Sequence, residues 1–409
     1  MMRDAGPHLS IAVIGAGAIG LAAALKLQSD GHKVELFDRG GPGEGASLGN
    51  SGIVAECEVI PLNRPATLKG LPRLLIDRNG PLQLRWSKLP AVAPWLIRFA
   101  WASRSAACNQ SARTLSGMLP GASQAWCELA ASANASALLQ QRGWLKVGTS
   151  VQAVEGLRKH ARDQACFGVS SQTLGGDEVR ELEPLLSKSV VGGVLYPGLV
   201  SLRSPLSVMQ ALARLFVSNG GTYHSTEVSE LGQTGDRAWI NAGKIRSFDR
   251  IIVAAGIWSK RLAEQIGEVI ALEAERGYHL MLPSSAQPLT RPVSVASPGY
   301  TLAPMLDGLR LASGVEFAGV DARPDMRRIE RMARHATSIV TGLRNEPISR
   351  WLGFRPSVPD SIPIVRPSRR SQKIILAFGH GHLGVTLAPW TARAVGEIVA
   401  DGIRDQELG

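Results

Sequence analysis

Short apolar runs punctuated by glycine open and close this chain. Ser10 to Ile14 is apolar, a small-residue stretch follows through Leu27, and after Gly31 the run Val34 to Phe37 is apolar again. Runs of this length suit buried strands and the longer stretch between them suits a helix, so the pattern predicts strand, tight turn, helix and strand: a βαβ unit. The C-terminus repeats this grammar, with a strand over Ile374 to Phe378, a glycine-rich turn, and a helix from about Val385 to Ala400. Between the two ends the pattern predicts helices over Ala122 to Leu139, Pro205 to Val217 and Met326 to Leu343. It predicts strands over Leu145 to Val147, Ile251 to Ala255, 277–282 and 309–312, and an extended stretch from Thr222 to Leu231. Residues 41–52 are too rich in glycine to be regular. From 63 to 104, Pro65, Pro72, Pro81, Pro90 and Pro94 are expected to limit the chain to short helices and loops.

Composition narrows this picture. At 409 residues the chain exceeds one compact core, so two interleaved domains are expected. Hydrophobic residues at 44% and charged residues at 19% suit a globular protein with a large core. The longest apolar run, Ile11 to Leu25, is broken by Gly15, Gly17 and Gly20 and stops at Lys26, so no transmembrane helix is predicted. Arg3 ahead of that run imitates a signal peptide, but the glycine spacing and the strand that follows have a better explanation. Cys57, Cys108, Cys127 and Cys166 show neither C-x-x-C nor zinc-ligand spacing; they read as ordinary buried thiols of a reducing compartment, and the cytoplasm or its membrane face is expected.

The formal net charge of +11 is concentrated. Eight basic residues and one acidic residue, Asp77, lie between Arg64 and Arg104. No nucleic-acid-binding motif accompanies them, so nucleic acid is not expected as a partner. Within 84–104, Trp86, Trp95, Phe99 and Trp101 mix with Arg85, Lys88, Arg98 and Arg104. Two readings follow: the aromatics belong to the core and the charges are solvated, or the segment lies on an anionic membrane, with Pro94 in the first turn of a short helix.

Gly15-Ala16-Gly17-Ala18-Ile19-Gly20 directly follows the first strand and opens the first helix. Gly15 permits the tight turn, Gly17 lets a pyrophosphate approach the backbone, Gly20 lets helix and strand pack closely, and the helix N-terminus offers N–H groups. Asp38 lies 18 residues after Gly20, where an acid can bind a ribose hydroxyl. This specifies a dinucleotide without distinguishing NAD from FAD. Three further features favour FAD: the loop carrying Ser47, Asn50, Ser51 and Gly52; the strand end Ala254, Ala255, Gly256; and a second glycine turn, residues 379–384, before the last helix. The candidate cofactor-binding set also includes Arg39, Val228, Trp258, Gly381, His382, Leu383, Gly384 and Thr386.

The pieces GAGAIG with Asp38, SLGNSG, VAAGIWS, ERGYHLMLP, WLGFRPSVPDSIPIV and FGHGHLGVTLAPW occur in an order that resembles the D-amino acid oxidase and glycine oxidase superfamily, above all its bacterial D-amino acid dehydrogenases. The resemblance spans nearly the whole chain. It implies an α/β protein in which a doubly wound, Rossmann-type FAD domain carries an α+β substrate domain with an antiparallel sheet over the flavin ring. On that basis residues 1–62, 201–262 and 352–409 are expected to form the FAD-binding domain, and 63–200 and 263–351 the substrate domain.

The resemblance also implies that Arg355, in GFRP, binds the substrate carboxylate, a role for which a guanidinium fork is suited. Tyr278 stands where the substrate-domain strand would face the flavin; it either lines the pocket or is a buried tyrosine whose hydroxyl merely finds a partner. His380 is assigned to the flavin shell. The spacing of His380 and His382 matches no zinc pattern, so no metal is expected. Relatives with covalent flavin use a C-terminal cysteine or an early histidine, whereas here no cysteine follows Cys166 and no histidine lies between His32 and His160, so FAD is expected to be noncovalent. The expected reaction is oxidative deamination of a small D-amino acid, or of a cyclic D-imino acid such as D-proline or hydroxy-D-proline, with a quinone or another carrier as acceptor. A glycine or sarcosine oxidase using oxygen and a flavoprotein subunit of a multi-subunit dehydrogenase are the alternatives.

Overall fold

The computed structural model describes residues 8–68, 70, 82–283 and 289–407, with side chains through 402. Pro72 and Pro81, together with Lys69, Arg73, Asp77 and Arg78 of the basic segment, lie outside the described residues.

The N-terminal unit forms as its pattern predicts. Strand Ser10–Ile14, helix Ala18–Ser29 and strand Lys33–Asp38 follow in order, the two strands pairing in parallel. They seed a six-stranded sheet in the order Ile364–Pro367, Ile374–Phe378, Arg250–Val253, Ser10–Ile14, Lys33–Asp38, Thr222–Ser225. All neighbours pair in parallel except the first two. Such a sheet must be covered on both faces. On one face, helix Ala18–Ser29 is packed between Pro205–Ser218 and Gly384–Glu407. Its small residues Ala22, Ala23 and Ala24 are almost wholly buried, which explains a first helix with no polar face. The other face is covered by the three-stranded antiparallel sheet Glu230–Thr234, Arg237–Asn241, Ile245–Phe248, through Leu231, Ala238, Ile240 and Phe248.

The second large sheet runs Ser349–Ser357, Glu273–Leu282, Gly308–Phe317, Tyr300–Met305, Val293–Val295, Trp144–Gly148, Gly192–Tyr196, Gln172–Gly175, with the short strand Leu82–Leu84 attached to Gly308–Phe317. Its pairings are antiparallel apart from Val293–Val295 with Trp144–Gly148 and Leu82–Leu84 with Gly308–Phe317. Helix Arg327–Ile339 closes one face with Ile329, Met332 and Ala336, each at most 3% exposed.

Several expectations change. Of the four cysteines expected to be buried, only Cys57 and Cys108 are; Cys127, on helix Ala122–Ser132, and Cys166, at the end of helix Val151–Ala165, are exposed. The helix expected over Ala122 to Leu139 ends at Ser132, because Asn134 adopts a left-handed φ of 53° and the chain turns before Leu139–Gln141 pairs with Val200–Leu202. The extended stretch from Thr222 to Leu231 is two strands in different sheets, Thr222–Ser225 and Glu230–Thr234, with Val228 in the crossover. Prolines do not keep 84–104 in short pieces: Leu89–Ala102 is one helix with Pro94 in its interior rather than its first turn. Pro90 and Pro94 are both exposed, so water can satisfy the carbonyl that Pro94 leaves unserved.

The aromatic residues are divided, Trp86 lying in the short turn Trp86–Lys88 ahead of this helix and the other three on it. Trp95 is buried, stacks on Phe99 at 5.3 Å and donates its indole N–H to the Ser357 carbonyl at 3.1 Å. Trp86 and Trp101 are 68% and 60% exposed, so neither sequence reading holds for all four rings. No helix among the described residues is long and apolar enough to cross a membrane.

Candidate functional site

At the head of the first helix the three glycines carry separate duties. Gly15 has φ +109°, and a Cβ on it would lie 2.3 Å from the Ala254 carbonyl oxygen, so the turn and its close approach to the third strand require glycine. A Cβ on Gly20 would lie 1.7 Å from the Gly15 carbonyl oxygen, which makes Gly20 the close-packing position of the motif. Gly17 leaves bare backbone on the wall of a cavity of about 640 Å³ that touches both large sheets. Ser47 Oγ accepts the Ala18 N–H at 3.0 Å, and Asp38 accepts the Ala16 N–H at 2.7 Å and the Gly40 N–H at 3.0 Å. Hydroxyl, carboxylate and helix N-terminus therefore converge on one stretch of the wall.

Ile19, Arg39, Asn50 and Ser51 line the same cavity, as do Val228, Ala254, Ala255, Gly256 and Trp258. Arg39 lies over the Trp258 ring at 3.8 Å. Gly381, His382 and Gly384 bring the C-terminal glycine turn to the same space. Four expected residues do not line it. Gly20 packs helix on strand as above. Gly52 has φ +76° against the Leu202 carbonyl and gives its N–H to Asn50 Oδ1. Leu383 is 2% exposed among Ile53 and Leu387, and Thr386 Oγ accepts the Ala55 N–H at 3.0 Å. Leu383 and Thr386 thus anchor the turn from behind.

Arg355 faces the cavity from strand Ser349–Ser357. Its Nη1 donates to Glu275 Oε1 at 3.0 Å and to the Gly314 carbonyl at 2.9 Å, and Ser357 Oγ donates to the other Glu275 oxygen at 2.9 Å. The rest of the fork has no partner among the described residues and is not sealed from the cavity; the side chain is 28% exposed. One half is held while the other half is open, as a carboxylate receptor requires.

Tyr278 borders the cavity, and its hydroxyl has a partner of its own. Glu275 and Gly277 pair with Arg355 and Gly353, so alternation sends the Tyr278 side chain to the opposite face. Although the residue borders the cavity, its hydroxyl donates to Glu316, and burial together with that carboxylate raises the phenol to about 12. The hydroxyl is thus engaged on the helix side of the sheet. His380 is 4% exposed, its Nε2 meets Thr391 Oγ at 2.8 Å, and burial lowers it to about 3. It borders the cavity as a neutral ring fastening the glycine turn to the last helix. His382 is lowered by burial, with Glu58 and Glu275 acting against that shift. Among the described residues no group of histidine, cysteine and carboxylate side chains could hold a metal.

Sequence reasoning missed a second ion pair on the wall. Glu58 lines the cavity and accepts a hydrogen bond from the ammonium of Lys146, which is buried over the rings of Trp144 at 4.1 Å and Tyr196 at 4.9 Å. Burial works to raise the Glu58 carboxyl, but the Lys146 ammonium outweighs it and brings the group down to about 2. A lysine inside the otherwise apolar strand Trp144–Gly148 was the available signal, since a buried ammonium needs an anion. Trp351 was missed as well: it lines the cavity, stacks on His279 at 5.1 Å and lies across Gly49 and Gly353, where a Cβ would come within 1.8 Å of its ring. Arg310 pins the adjoining loop by donating to the carbonyls of Leu48 at 2.8 Å and Asn50 at 2.5 Å.

A family model described as FAD-dependent oxidoreductase matches residues 10–398. The chain is 34% identical over 408 residues to a D-amino-acid oxidase of Bradyrhizobium diazoefficiens, covering 95% of this chain and 94% of that protein. It is 28% identical to D-amino acid dehydrogenase 2 of Ralstonia nicotianae, covering 96% of each. Its fold is similar to that of glycine oxidase from Geobacillus kaustophilus, with a TM-score of 0.73 at 21% identity over 96% of this chain and 95% of that one.

Proposed function

The chain belongs to the FAD-dependent oxidoreductase family, and from that membership we propose that it removes a hydride from the α-carbon of a D-amino acid. It is an FAD-dependent oxidoreductase acting on amino-acid CH–NH or CH–NH2 donors. The D configuration, the roles of individual residues and the acceptor are our reading. The observation that carries it is the half-used fork of Arg355, held by Glu275 and Gly314 and open towards the cavity.

The residues fit FAD. Gly15 forms a turn that a Cβ would destroy, Gly17 leaves bare backbone beside a helix N-terminus, and Asp38 and Ser47 stand next to it. We assign contacts with the cofactor to the lining residues of the two glycine turns, the 47–51 loop and the strand end 254–256. When bound, FAD supplies the two-electron acceptor. Arg355 binds the substrate carboxylate bidentately and so fixes which face of the α-carbon is presented. Glu275 and Gly314 hold the guanidinium in place, and neutral His380 keeps the glycine turn rigid without adding charge. No side-chain base is required when the amine binds neutral. The noncovalent hold on FAD is inferred from the absence of a cysteine after Cys166 and of a histidine between His32 and His160.

We assign residues 1–62, 201–262 and 352–409 to the FAD domain and 63–200 and 263–351 to the substrate domain. Every strand of the six-stranded sheet falls within the first set, which supports the division. For the acceptor we propose a quinone reached at an anionic membrane. Helix Leu89–Ala102 supports this reading, since it exposes Pro90, Pro94, Ile97 and Trp101 at helical spacing, with Lys88, Arg98 and Arg104 exposed around them.

The deciding experiment mixes the protein anaerobically with D- and L-amino acids and follows bleaching of the flavin. Reduction by D-amino acids is expected, and reduction by the L series alone overturns the assigned configuration.

A further inference from the structure

Two ion pairs of opposite polarity border the cavity, and each leaves half of its hydrogen-bonding capacity unused. In the first, Arg355 is tied through Nη1 while the remainder of its fork stays open. In the second, Glu58 takes Lys146 on Oε1, while its other oxygen has no protein partner among the described residues and is not sealed from the cavity, the side chain being 14% exposed. His382 lies within electrostatic reach of both pairs. We propose that Glu58 selects amino acids whose side chain ends in an ammonium or guanidinium, the free carboxylate oxygen of Glu58 receiving that cation while Arg355 receives the substrate carboxylate. This rests on the assignment of Arg355 made above and names the substrate class of the same site.

The reasoning is electrostatic and geometric. Glu58 stays ionised throughout the physiological range, so it is a fixed anion and a poor proton acceptor. A fixed anion beside the α-amine would favour the ammonium form, which cannot release a hydride, so the cation that suits Glu58 belongs further along the substrate. Gly314, which anchors Arg355, lies on Gly308–Phe317; Lys146, which anchors Glu58, lies on Trp144–Gly148, three strand spacings away. Three spacings are ~14 Å along a sheet, and the inward reach of both side chains shortens this gap. A chain of several carbons fits that span. Trp144 and Leu62 on the same wall offer apolar cover for its methylenes.

The test compares D-arginine with D-citrulline, which is nearly the same shape without the charge. Anaerobic flavin reduction is measured in the holoenzyme of wild type and Glu58→Gln, with the L-enantiomers and D-alanine run in parallel. Wild type is expected to favour D-arginine by ~10²-fold in efficiency and Glu58→Gln to bring the pair within about threefold. If Glu58→Gln fails to retain FAD because Lys146 is left unpaired, Glu58→Gln combined with Lys146→Met removes both charges and answers the same question. A wild-type ratio near one, or a ratio that Glu58→Gln leaves unchanged, overturns the inference. Equal losses on D-alanine and D-arginine also overturn it, because Glu58 would then be serving the α-amine. A charge preference seen only with the L pair, and abolished by Glu58→Gln, upholds the inference while overturning the D configuration.

Discussion

A Cβ added to Gly277 would lie 2.4 Å from Nη2 of Arg355, so the glycine on one strand makes the space in which the guanidinium of the next strand lies. Gly277→Ala should therefore displace the fork without touching its chemistry. Flavin content is expected to be normal and kcat/KM lower by ~10-fold to 10²-fold, the usual consequence of moving a positioning group by about an ångström. Retained activity within twofold would show that the fork has other room.

Arg355→Met is expected to keep FAD and lose ~10²–10⁴ in kcat/KM, since a charge-assisted pair is removed from a desolvated site. Lysine at 355 should restore little, because it cannot reproduce the fork held by Glu275 and Gly314. Steady-state kinetics with flavin absorbance as the loading control decide it; activity within fivefold of wild type removes Arg355 as the carboxylate anchor.

The bound flavin should leave the chain on acid or heat denaturation. Yellow colour is expected in the supernatant and no fluorescence on the denatured band in a gel; a fluorescent band contradicts noncovalent binding.

Stability should fall as pH drops below about 6.5, before the carboxylates titrate. Burial lowers His380 and His279 to about 3 and His160 to about 4, so between those values and 6.5 the unfolded chain binds more protons than the folded one. Stability rises with pH in that window, is complete above it and is lost on the acid side. His380→Gln keeps a partner for Thr391 and should flatten the slope by about one proton, read from urea unfolding at a series of pH values. An unchanged slope would mean that His380 does not contribute.

Anionic vesicles should sediment the protein at low salt and release it at high salt, each exposed basic residue near the surface contributing ~1 kcal/mol. Ile97→Ser with Trp101→Ser removes exposed apolar area while leaving Trp95 and Phe99 in the core, and should weaken recovery several-fold. Equal recovery with neutral and anionic vesicles would retire the membrane and quinone reading.

The sequence alone determined what depends on local backbone chemistry. Gly15, Gly17 and Gly20 each have a duty set by missing side-chain atoms within one βαβ unit, so their spacing and Asp38 specified both the fold of the first forty residues and a dinucleotide site. The strand at Ile374 to Phe378 was legible for the same reason, as a short apolar run closed by glycine. Contacts between segments distant in the chain were decided only by tertiary structure. Which partner the Tyr278 hydroxyl meets depended on strand alternation relative to Arg355, on a partner strand some eighty residues away. Glu58 and Lys146 are separated by 88 positions, and neither signals a site until the sheet brings them together over Trp144 and Tyr196. The aromatics of 84–104 show the same limit: their composition suited both core and membrane, and the helix separated Trp95 and Phe99 from Trp101 because only one of its sides meets Phe317 and Ser357. Local geometry is written in neighbouring residues, whereas the direction a side chain faces is set by whatever the folded chain packs against it.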